Sequence, residues 1–359
     1  MTKLIPEGPE RAWLDVDLGA LVRNARRFQE LSGIPLLPMV KANAYGLGAA
    51  AVVGALESIA PWGYGVATWP EGAELRVGGI TRPIVVFTPL LPGDEAMAAL
   101  RRHTLRPVLG DAAALKAWTA SGGGAFHIEI DTGMSRSGFR WHDQAALTDL
   151  RTQLFGREDW EGIFTHFHSA ESDRESALAQ LERFAGVLDT CDRRPALVHA
   201  ANSAAAELAR DMNLARPGIL LYGGRAGEHE PEPVVKLCAR VVALRRVRPG
   251  DTISYGAEAE AEAETTIATL GIGYADGVPR SLGDAGQVEL GGLVVPIVGR
   301  VTMDMLMVDV GDAPVQPGDP ATLFGGLVSL DQQAELAGTV SYELLTRVSP
   351  RVERRYREP

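Results

Sequence analysis

Val40-Lys41-Ala42-Asn43-Ala44-Tyr45-Gly46-Leu47-Gly48 decides how this chain is read. It continues directly from the apolar run Pro35-Leu36-Leu37-Pro38-Met39-Val40. An apolar run that ends in a lysine and two glycines reads as a short buried strand delivering a functional loop. A lysine placed there has an apolar stem and little water around its amine. Desolvation lowers a lysine pKa, and a neutral amine can attack a carbonyl to form a Schiff base. Gly46 and Gly48 let the backbone approach a ligand, and Tyr45 brings a hydroxyl to the same place. A snorkelling lysine at an ordinary strand end has the same local signature, so the rest of the chain must choose between the two.

Around this stretch, strand and helix patterns alternate. Ala12 to Asp17 alternates like a half-buried strand, and Asp17 can cap a helix bearing Leu18, Leu21, Val22, Ala25 and Phe28. After the strand at Leu36, strands are expected over 64–68, 83–87, 105–109, 125–131, 162–166, 197–200 and 216–221. Helices are expected over 49–59, from Pro70 to the Gly78-Gly79 stop, through Met97 and Leu100, and over 111–119, 143–154, 177–188 and 203–211. About eight strand-helix units between residues 34 and 225 predict a (β/α)8 barrel of the TIM type. An open doubly wound sheet is the alternative, but no Gly-x-Gly-x-x-Gly follows an early strand. Gly223 to Pro233 is rich in Gly, Glu and Pro and reads as a linker.

Beyond the linker the rhythm changes to short apolar runs at 234–247, 252–255, 265–270, 287–290, 293–298 and 307–310. Gly291-Gly292 marks a hairpin, and two short helices are expected at 330–336 and 342–348. The expected fold is therefore α/β, an N-terminal barrel over 12–232 followed by a mostly β C-terminal domain over 233–359. The first strand, 12–17, is a candidate to pack with the β domain.

Composition narrows the function. The 359 residues suffice for two domains with full cores, with 46% hydrophobic and 23% charged residues. A net charge of −11, with acids spread along the chain, argues against a nucleic-acid or anionic-membrane surface. Cys191 and Cys238 are far apart and in no metal spacing. Met1 to Arg11 has no signal-peptide core, and no apolar run approaches the ~20 residues of a membrane helix. The expected compartment is the cytoplasm.

In a barrel of this kind the reactive groups lie where strands end. Lys41 ends the first strand, and Asp131-Thr132-Gly133-Met134-Ser135-Arg136-Ser137-Gly138-Phe139 follows the fifth. Thr165-His166-Phe167-His168 ends the sixth, His199-Ala200-Ala201-Asn202-Ser203 the seventh, and Arg216-Pro217-Gly218-Ile219-Leu220-Leu221-Tyr222-Gly223 the eighth. Five such ends in register make a site. Ser203, as a helix cap, and the amides of Gly218 and Ile219 form an anion cradle of the kind that holds a phosphate.

At these residues the chain resembles the alanine racemases, pyridoxal-phosphate enzymes with a barrel plus a β domain, from about Leu14 to Tyr356. The nine residues around Lys41 match the family's cofactor-lysine motif. The second half carries Ile253-Ser254-Tyr255-Gly256, Gly273-Tyr274-Ala275-Asp276-Gly277-Val278-Pro279-Arg280 and Gly299-Arg300-Val301-Thr302-Met303-Asp304. The tail Arg351-Val352-Glu353-Arg354-Arg355-Tyr356 is similar to the family's closing motif.

The resemblance implies a racemase (an isomerase) that interconverts L- and D-alanine and supplies D-alanine for peptidoglycan, acting as a homodimer with shared sites. It implies that Lys41 forms the internal aldimine with pyridoxal phosphate. Tyr45, Ser203, Gly218, Ile219 and Tyr356 would hold the phosphate, and Arg216 would face the pyridine nitrogen. An arginine keeps its proton, so that nitrogen stays unprotonated and the electron sink is weakened. Racemisation needs one base on each face of the substrate, and the implied pair is Lys41 and, from the partner subunit, Tyr255. His166, linked to Arg216, would ease deprotonation of that tyrosine. Arg136 and Met303 would bind the substrate, with Asp304, Tyr274 and Arg280 in support; the last two would restrict the entry corridor.

Three departures from the family pattern stand out. Glu129 occupies the position where the family often has a carbamate-modified lysine. On the strand it shares a face with His127 and Asp131, so it is expected to supply the carboxylate that orients Arg136, or else to form a structural ion pair. Thr302 replaces a frequent cysteine. His168 follows His166 by two, a spacing that could hold a metal, but no metal is expected. Neighbouring readings are a broader small-amino-acid racemase, a decarboxylase of the same architecture, a non-catalytic pyridoxal-phosphate carrier and a barrel metal hydrolase.

Overall fold

In a computed structural model, residues 11–209 and 212–358 are described. The segment 1–10 therefore lies outside the described residues, as does the end of the helix expected over 203–211. The described chain divides into two compact units. One comprises residues 22–221 and 225–231; the other takes the chain up to 21, residues 222–224 and the chain from 232 onward.

The first unit is a ring of parallel strands. Tyr64–Val66, Ile84–Val86, Arg106–Leu109, Phe126–Asp131, Trp160–Phe164 and Leu197–His199 pair in that order. Helices alternate with them: Trp69–Val77, Asp94–Arg102, Ala112–Ala120, Gln144–Leu154 and Arg174–Asp189. Asp111, Asp143 and Asp173 cap three of these by accepting from backbone N–H groups. Thr68 and Glu71 form a capping box on the first.

The ring closes through two staves that are not regular strands. The expected strand over 35–40 is reduced to isolated bridges, Leu36 with Ala215 and Met39 with Gly65. Pro35 and Pro38 have no N–H to give a ladder. The closing hydrogen bonds run around them: Leu37 N to Ala215 O (2.7 Å), Met39 N to Pro217 O (2.9 Å) and Gly65 N to Pro38 O (2.9 Å). The expected eighth strand, 216–221, is likewise displaced. Its bridge falls at Ala215, and Ile219–Tyr222 is a 3-10 turn, because Pro217 and Gly218 interrupt extended pairing. Asn213 N to Val198 O (3.2 Å) and Arg216 N to Ala201 O (2.8 Å) join this stave to the seventh. Eight staves result, as counted, but two are held by single bridges.

Inside the ring, Leu37, Val85, Val108, Phe164 and Leu214 form one apolar cluster with Trp62, Phe87 and Leu197 against it. Fully buried His127 and His199 lie among them, His199 stacked on Phe164 at 4.9 Å between ring centroids.

The second unit is organised on the long strand Val235–Val247. It pairs antiparallel with Ala12–Asp17, with Thr265–Leu270 and with Pro320–Phe324. The first strand of the chain thus belongs to this sheet, where Glu353–Arg357 pairs parallel to it. Gln287–Leu290 and Leu293–Pro296 make the expected hairpin, with φ of 61° and 78° at Gly291 and Gly292; a two-residue turn of this type needs left-handed backbone. The strands 320–324 and 353–357 were not anticipated. The first is a five-residue run opened by proline, and the second, Glu-Arg-Arg-Tyr-Arg, carries almost no apolar signal.

Candidate active site

Lys41 does not end a strand; it opens a turn of the rarest hand. Ala42, Asn43, Ala44 and Tyr45 have φ of 52°, 54°, 53° and 55°, one left-handed helical turn without a glycine. Each such residue costs roughly 1–2 kcal/mol relative to the right-handed form, so its surroundings must hold it. Ala44 N donates to Val40 O and Gly46 N to Ala42 O, both at 2.8 Å. Glu71, already in the capping box, takes Ala42 N on Oε1 (2.8 Å) and Ala67 N and Thr68 N on Oε2 (2.7 and 3.0 Å). Asn43 Oδ1 accepts from Ala49 N at 2.7 Å. The turn leaves Lys41 on the surface and carries Tyr45 inward to 5% exposure. Although Lys41 as a residue is exposed, crowding of its amine lowers its pKa; Arg136 lowers it further, Glu71 opposes, and Arg216 adds to the lowering.

The cradle expected around Ser203 and Gly218 is assembled differently from the expectation. Ser203 was expected to cap the helix that follows it. Instead its Oγ accepts from Gly218 N (2.8 Å) and Leu220 N (3.4 Å), which ties the seventh stave's end to the eighth's. The helix is reduced, within the described residues, to the 3-10 turn Ala206–Ala209. Gly218 is required by close approach: a Cβ there would lie 2.4 Å from Tyr45 Oη. Tyr45, Ser203 and Gly218 therefore converge, with buried Ile219 beside them.

Arg216 is the hub of the mouth and only 4% exposed. Its Nη1 donates to His199 Nδ1 (2.7 Å). Its Nη2 donates to Thr165 O (2.9 Å), Ala200 O (3.2 Å) and His166 Nδ1 (3.2 Å). The guanidinium lies over Phe164 and Phe87, 5.0 and 5.8 Å from the ring centroids. Burial lowers its pKa to about 9, Glu129 working against this and Arg136 with it, so it stays charged at neutral pH. His166 is pushed down to about 3 by burial, then by Arg216, Arg136 and Lys41.

The strand ends at Phe164, so His166 and His168 do not share a strand face. His168 turns instead to Ser169 Oγ (2.7 Å) and Ser176 Oγ (3.2 Å). Among the described residues no group of His, Cys, Asp and Glu could hold a metal ion.

Glu129, 4% exposed, accepts from Ser137 Oγ at 2.6 Å. The expectation that it orients Arg136 directly has no hydrogen bond behind it here; Arg136 acts on it only through charge. Burial raises the Glu129 pKa, Ser137 and the two arginines opposing. Asp131 Oδ1, accepting from Gly133 N and Ser135 N at 3.0 Å each, shapes the loop that presents Arg136.

Sequence reasoning gave no role to His199 or Gln180. Fully buried Gln180 donates to His166 O (3.0 Å) and Thr132 Oγ1 (3.1 Å) and accepts from His168 N (3.0 Å). Its available signal was a glutamine set inside the apolar stripe Ala177, Leu181, Phe184.

The remaining candidates belong to the second unit. Tyr255, 70% exposed, opens a short turn. Ser254 Oγ anchors that turn on Arg300 O at 2.7 Å. The turn Tyr274–Asp276 sits on the next loop through Tyr274 N to Thr302 O (2.9 Å) and Ala275 N to Met303 O (3.0 Å). The three motif segments are thereby brought together, with Tyr274 and Met303 exposed at 40% and 53%. Asp304 takes Arg351 Nη2 at 2.6 Å, and buried Asp276 takes Arg11 at 2.6 and 3.0 Å. Arg280, exposed, opens its own 3-10 turn. Tyr356 stands opposite Val16 on the edge strand.

Comparison with known proteins covers nearly the whole chain. Residues 16–226 match the family model of the alanine racemase N-terminal domain, and residues 234–356 that of the C-terminal domain. The chain is 39% identical over 357 residues to the alanine racemase of Deinococcus radiodurans, covering 96% of this chain and 99% of that one. The alanine racemase of Geobacter sp. strain M21 is 37% identical, with 95% and 97% covered. Among solved structures, the biosynthetic alanine racemase of Pseudomonas aeruginosa superposes with a TM-score of 0.89 at 34% identity, covering 97% of this chain and all of that one. The Bartonella henselae alanine racemase, solved with covalently bound pyridoxal phosphate, gives 0.89 at 30% identity with the same coverage. Among the described residues no helix is long and apolar enough to cross a membrane.

Proposed function

The chain belongs to the alanine racemase family, and from that premise we propose that it interconverts L- and D-alanine with pyridoxal phosphate as cofactor. The observation that carries this reading is one cluster at the barrel mouth. Lys41, its pKa lowered by its surroundings, shares the charge field of Arg216 and Arg136, and the Tyr45–Ser203–Gly218 cradle lies on the same staves.

These residues fit the cofactor. Tyr45, Ser203, Gly218 and Ile219, with Tyr356 from the β sheet, would hold its phosphate. Lys41 would hold its aldehyde carbon, and Arg216 would face its ring nitrogen. When bound, the cofactor supplies an electron sink conjugated to the α-carbon of the amino acid.

The protein's own task is to move a proton from one face of that carbon to the other. Lys41 Nζ serves the face leading from D-alanine. Tyr255 of the partner subunit serves the opposite face, so the enzyme works as a homodimer. His166 supports the tyrosine as a donor, not as a proton acceptor. Arginine offers only N–H groups, so His166 Nδ1 accepts from Arg216 and its proton sits on Nε2. A neutral imidazole N–H directed at a phenolate oxygen favours the ionised tyrosine.

Arg136 takes the substrate carboxylate or the cofactor's phenolic oxygen, with Met303 of the partner subunit beside it. Glu129 keeps a carboxylate near Arg136, and Asp304 supports the loop that carries Met303. Tyr274 and Arg280 restrict the corridor to a methyl-sized side chain. We read the unit of residues 22–221 and 225–231, the expected 12–232 domain less its first strand and a short stretch after 221, as the cofactor domain, and the unit that continues from 232 onward as the one that carries Tyr255. The cellular setting in this reading is the cytoplasm, and the product serves peptidoglycan.

Chiral analysis of L-alanine incubated with the purified protein, beside its visible absorption spectrum, tests the proposal. Conversion toward an equal mixture, lost in Lys41→Ala, supports it. A yellow protein that leaves L-alanine unchanged refutes the alanine assignment, and a colourless protein that takes up no pyridoxal phosphate refutes the cofactor.

A further inference from the structure

Arg216 is an enclosed cation whose hydrogen-bond partners, among the described residues, include no carboxylate. Glu129 acts on it through charge alone, and a buried charge with no hydrogen-bonded counter-charge is costly. The nearest hydrogen-bonded route to one runs through the barrel interior. His199 accepts from Arg216 on Nδ1 (2.7 Å) and meets His127 Nδ1 through its own Nε2 at 2.8 Å. His127 Nε2 then reaches Glu161 Oε2 at 3.3 Å. Both imidazoles are fully buried. Arg106 Nε donates to the same Glu161 Oε2, at 2.9 Å.

The direction of this chain is not free. Arginine has only donors, so His199 Nδ1 must accept and its proton must sit on Nε2. His127 Nδ1 must then accept in turn, which puts its proton on Nε2, where a carboxylate, which is acceptor-only, receives it. One sense satisfies every atom, and its two ends, a guanidinium and a carboxylate, enforce it.

We propose that Glu161 and His127 are positioning residues of the reaction, which through His199 fix the hydrogen-bond sense that holds the Arg216 guanidinium in place. The proposal rests on the reading of Arg216 as the group facing the cofactor's ring nitrogen. If the far acceptor is removed, His127 can carry its proton on Nδ1. His199 then accepts on Nε2, its proton moves to Nδ1, and an N–H faces the Arg216 N–H across 2.7 Å. Two opposed donors at that distance push the guanidinium away.

The test uses Glu161→Leu, which removes the acceptor outright; an amide would not, because Arg106 Nε donates to the same Oε2 and would hold an amide oxygen there. Nitrogen NMR on histidine-labelled holoenzyme reads the tautomers directly. The wild type is expected to hold both His127 and His199 as Nε2–H forms, and Glu161→Leu to populate Nδ1–H. With it, kcat is expected to fall about tenfold, the effect of one misdirected buried hydrogen bond, while KM for alanine stays close to its wild-type value. Arg106→Gln is the structural control, since it removes the ion pair but leaves the carboxylate on His127. It is expected to lower Tm and leave tautomers and kcat within twofold of wild type. Unmoved tautomers or kcat in Glu161→Leu, or an equal loss of kcat in Arg106→Gln, overturns the positioning role alone. A wild-type protein that does not racemise alanine overturns the functional reading and this role with it, while the NMR still reports the sense of the chain.

Discussion

Gly218→Ala puts the cradle to a quantitative test. The added methyl would sit 2.4 Å from Tyr45 Oη, 3.3 Å from Tyr45 Cζ and 3.8 Å from Met39 Cβ. Only the first contact is impossible, and non-bonded heavy atoms prefer about 3.5 Å, so the hydroxyl must retreat by about 1 Å. Tyr45 is 5% exposed and begins where a left-handed turn ends, so it has no free space to swing into. Overpacking of this kind costs about 1–3 kcal/mol of stability. Under the proposed function the displaced hydroxyl would also lose a hydrogen bond to the cofactor phosphate, worth about 1.5–3 kcal/mol when the acceptor is charged. At 1.4 kcal/mol per factor of ten, the pyridoxal phosphate Kd should rise about 10- to 100-fold.

The assay is titration of the apoprotein with pyridoxal phosphate, followed by absorbance, alongside the Tm of the apo form. The double variant Gly218→Ala/Tyr45→Phe removes the clashing oxygen and the phosphate donor together. It should recover much of the lost Tm but keep the weak Kd. An unchanged Kd in Gly218→Ala, or a double variant no more stable than the single one, would refute the geometry.

Tyr255→Phe should leave the unfolding free energy within about 0.5 kcal/mol of wild type, because the side chain is 70% exposed and its hydroxyl supports no core. Its racemisation rate should fall about 10²- to 10⁴-fold, the range for a lost general base; wild-type turnover would remove Tyr255 from the mechanism. Glu129→Gln keeps the hydrogen bond from Ser137 but deletes the charge, so KM or kcat should worsen several-fold, and unchanged kinetics would leave Glu129 a purely structural residue. Stability should fall as pH drops below about 6.5, because burial lowers the pKa of His127 and His199 and takes His166 to about 3. All three stay neutral when folded and bind protons when unfolded, so each removes up to ~1.4 kcal/mol per pH unit below the unfolded pKa. Glu129, with its raised pKa, offsets part of this near the bottom of the range. A Tm that does not move between pH 6.5 and 5 would contradict the buried neutral state.

Much of this architecture was legible in sequence because it rests on period and punctuation. Alternation, helical stripes, the aspartate cap at 17 and the Gly291-Gly292 turn are local signals, and each forms where it was read. The errors fell where local preference was overridden. Prolines at 35, 38 and 217 break the two closing staves, yet ring closure holds them in line through a few backbone bonds. The run from Ala42 to Tyr45 gives no hint of left-handed backbone, since the turn is held by Glu71, a residue almost thirty positions away.

The sequence by itself determined which residue types reach the ends of the staves, because strand spacing and turn chemistry are properties of neighbours along the chain. Only the tertiary structure decided who meets whom. Ser203 serves the Gly218 turn instead of its own helix, His166 and His168 part company, and His199 and His127 join Arg216 to Glu161 across the barrel. The reason is physical: a buried donor or acceptor must find a partner, and inside a closed ring that partner stands on another stave.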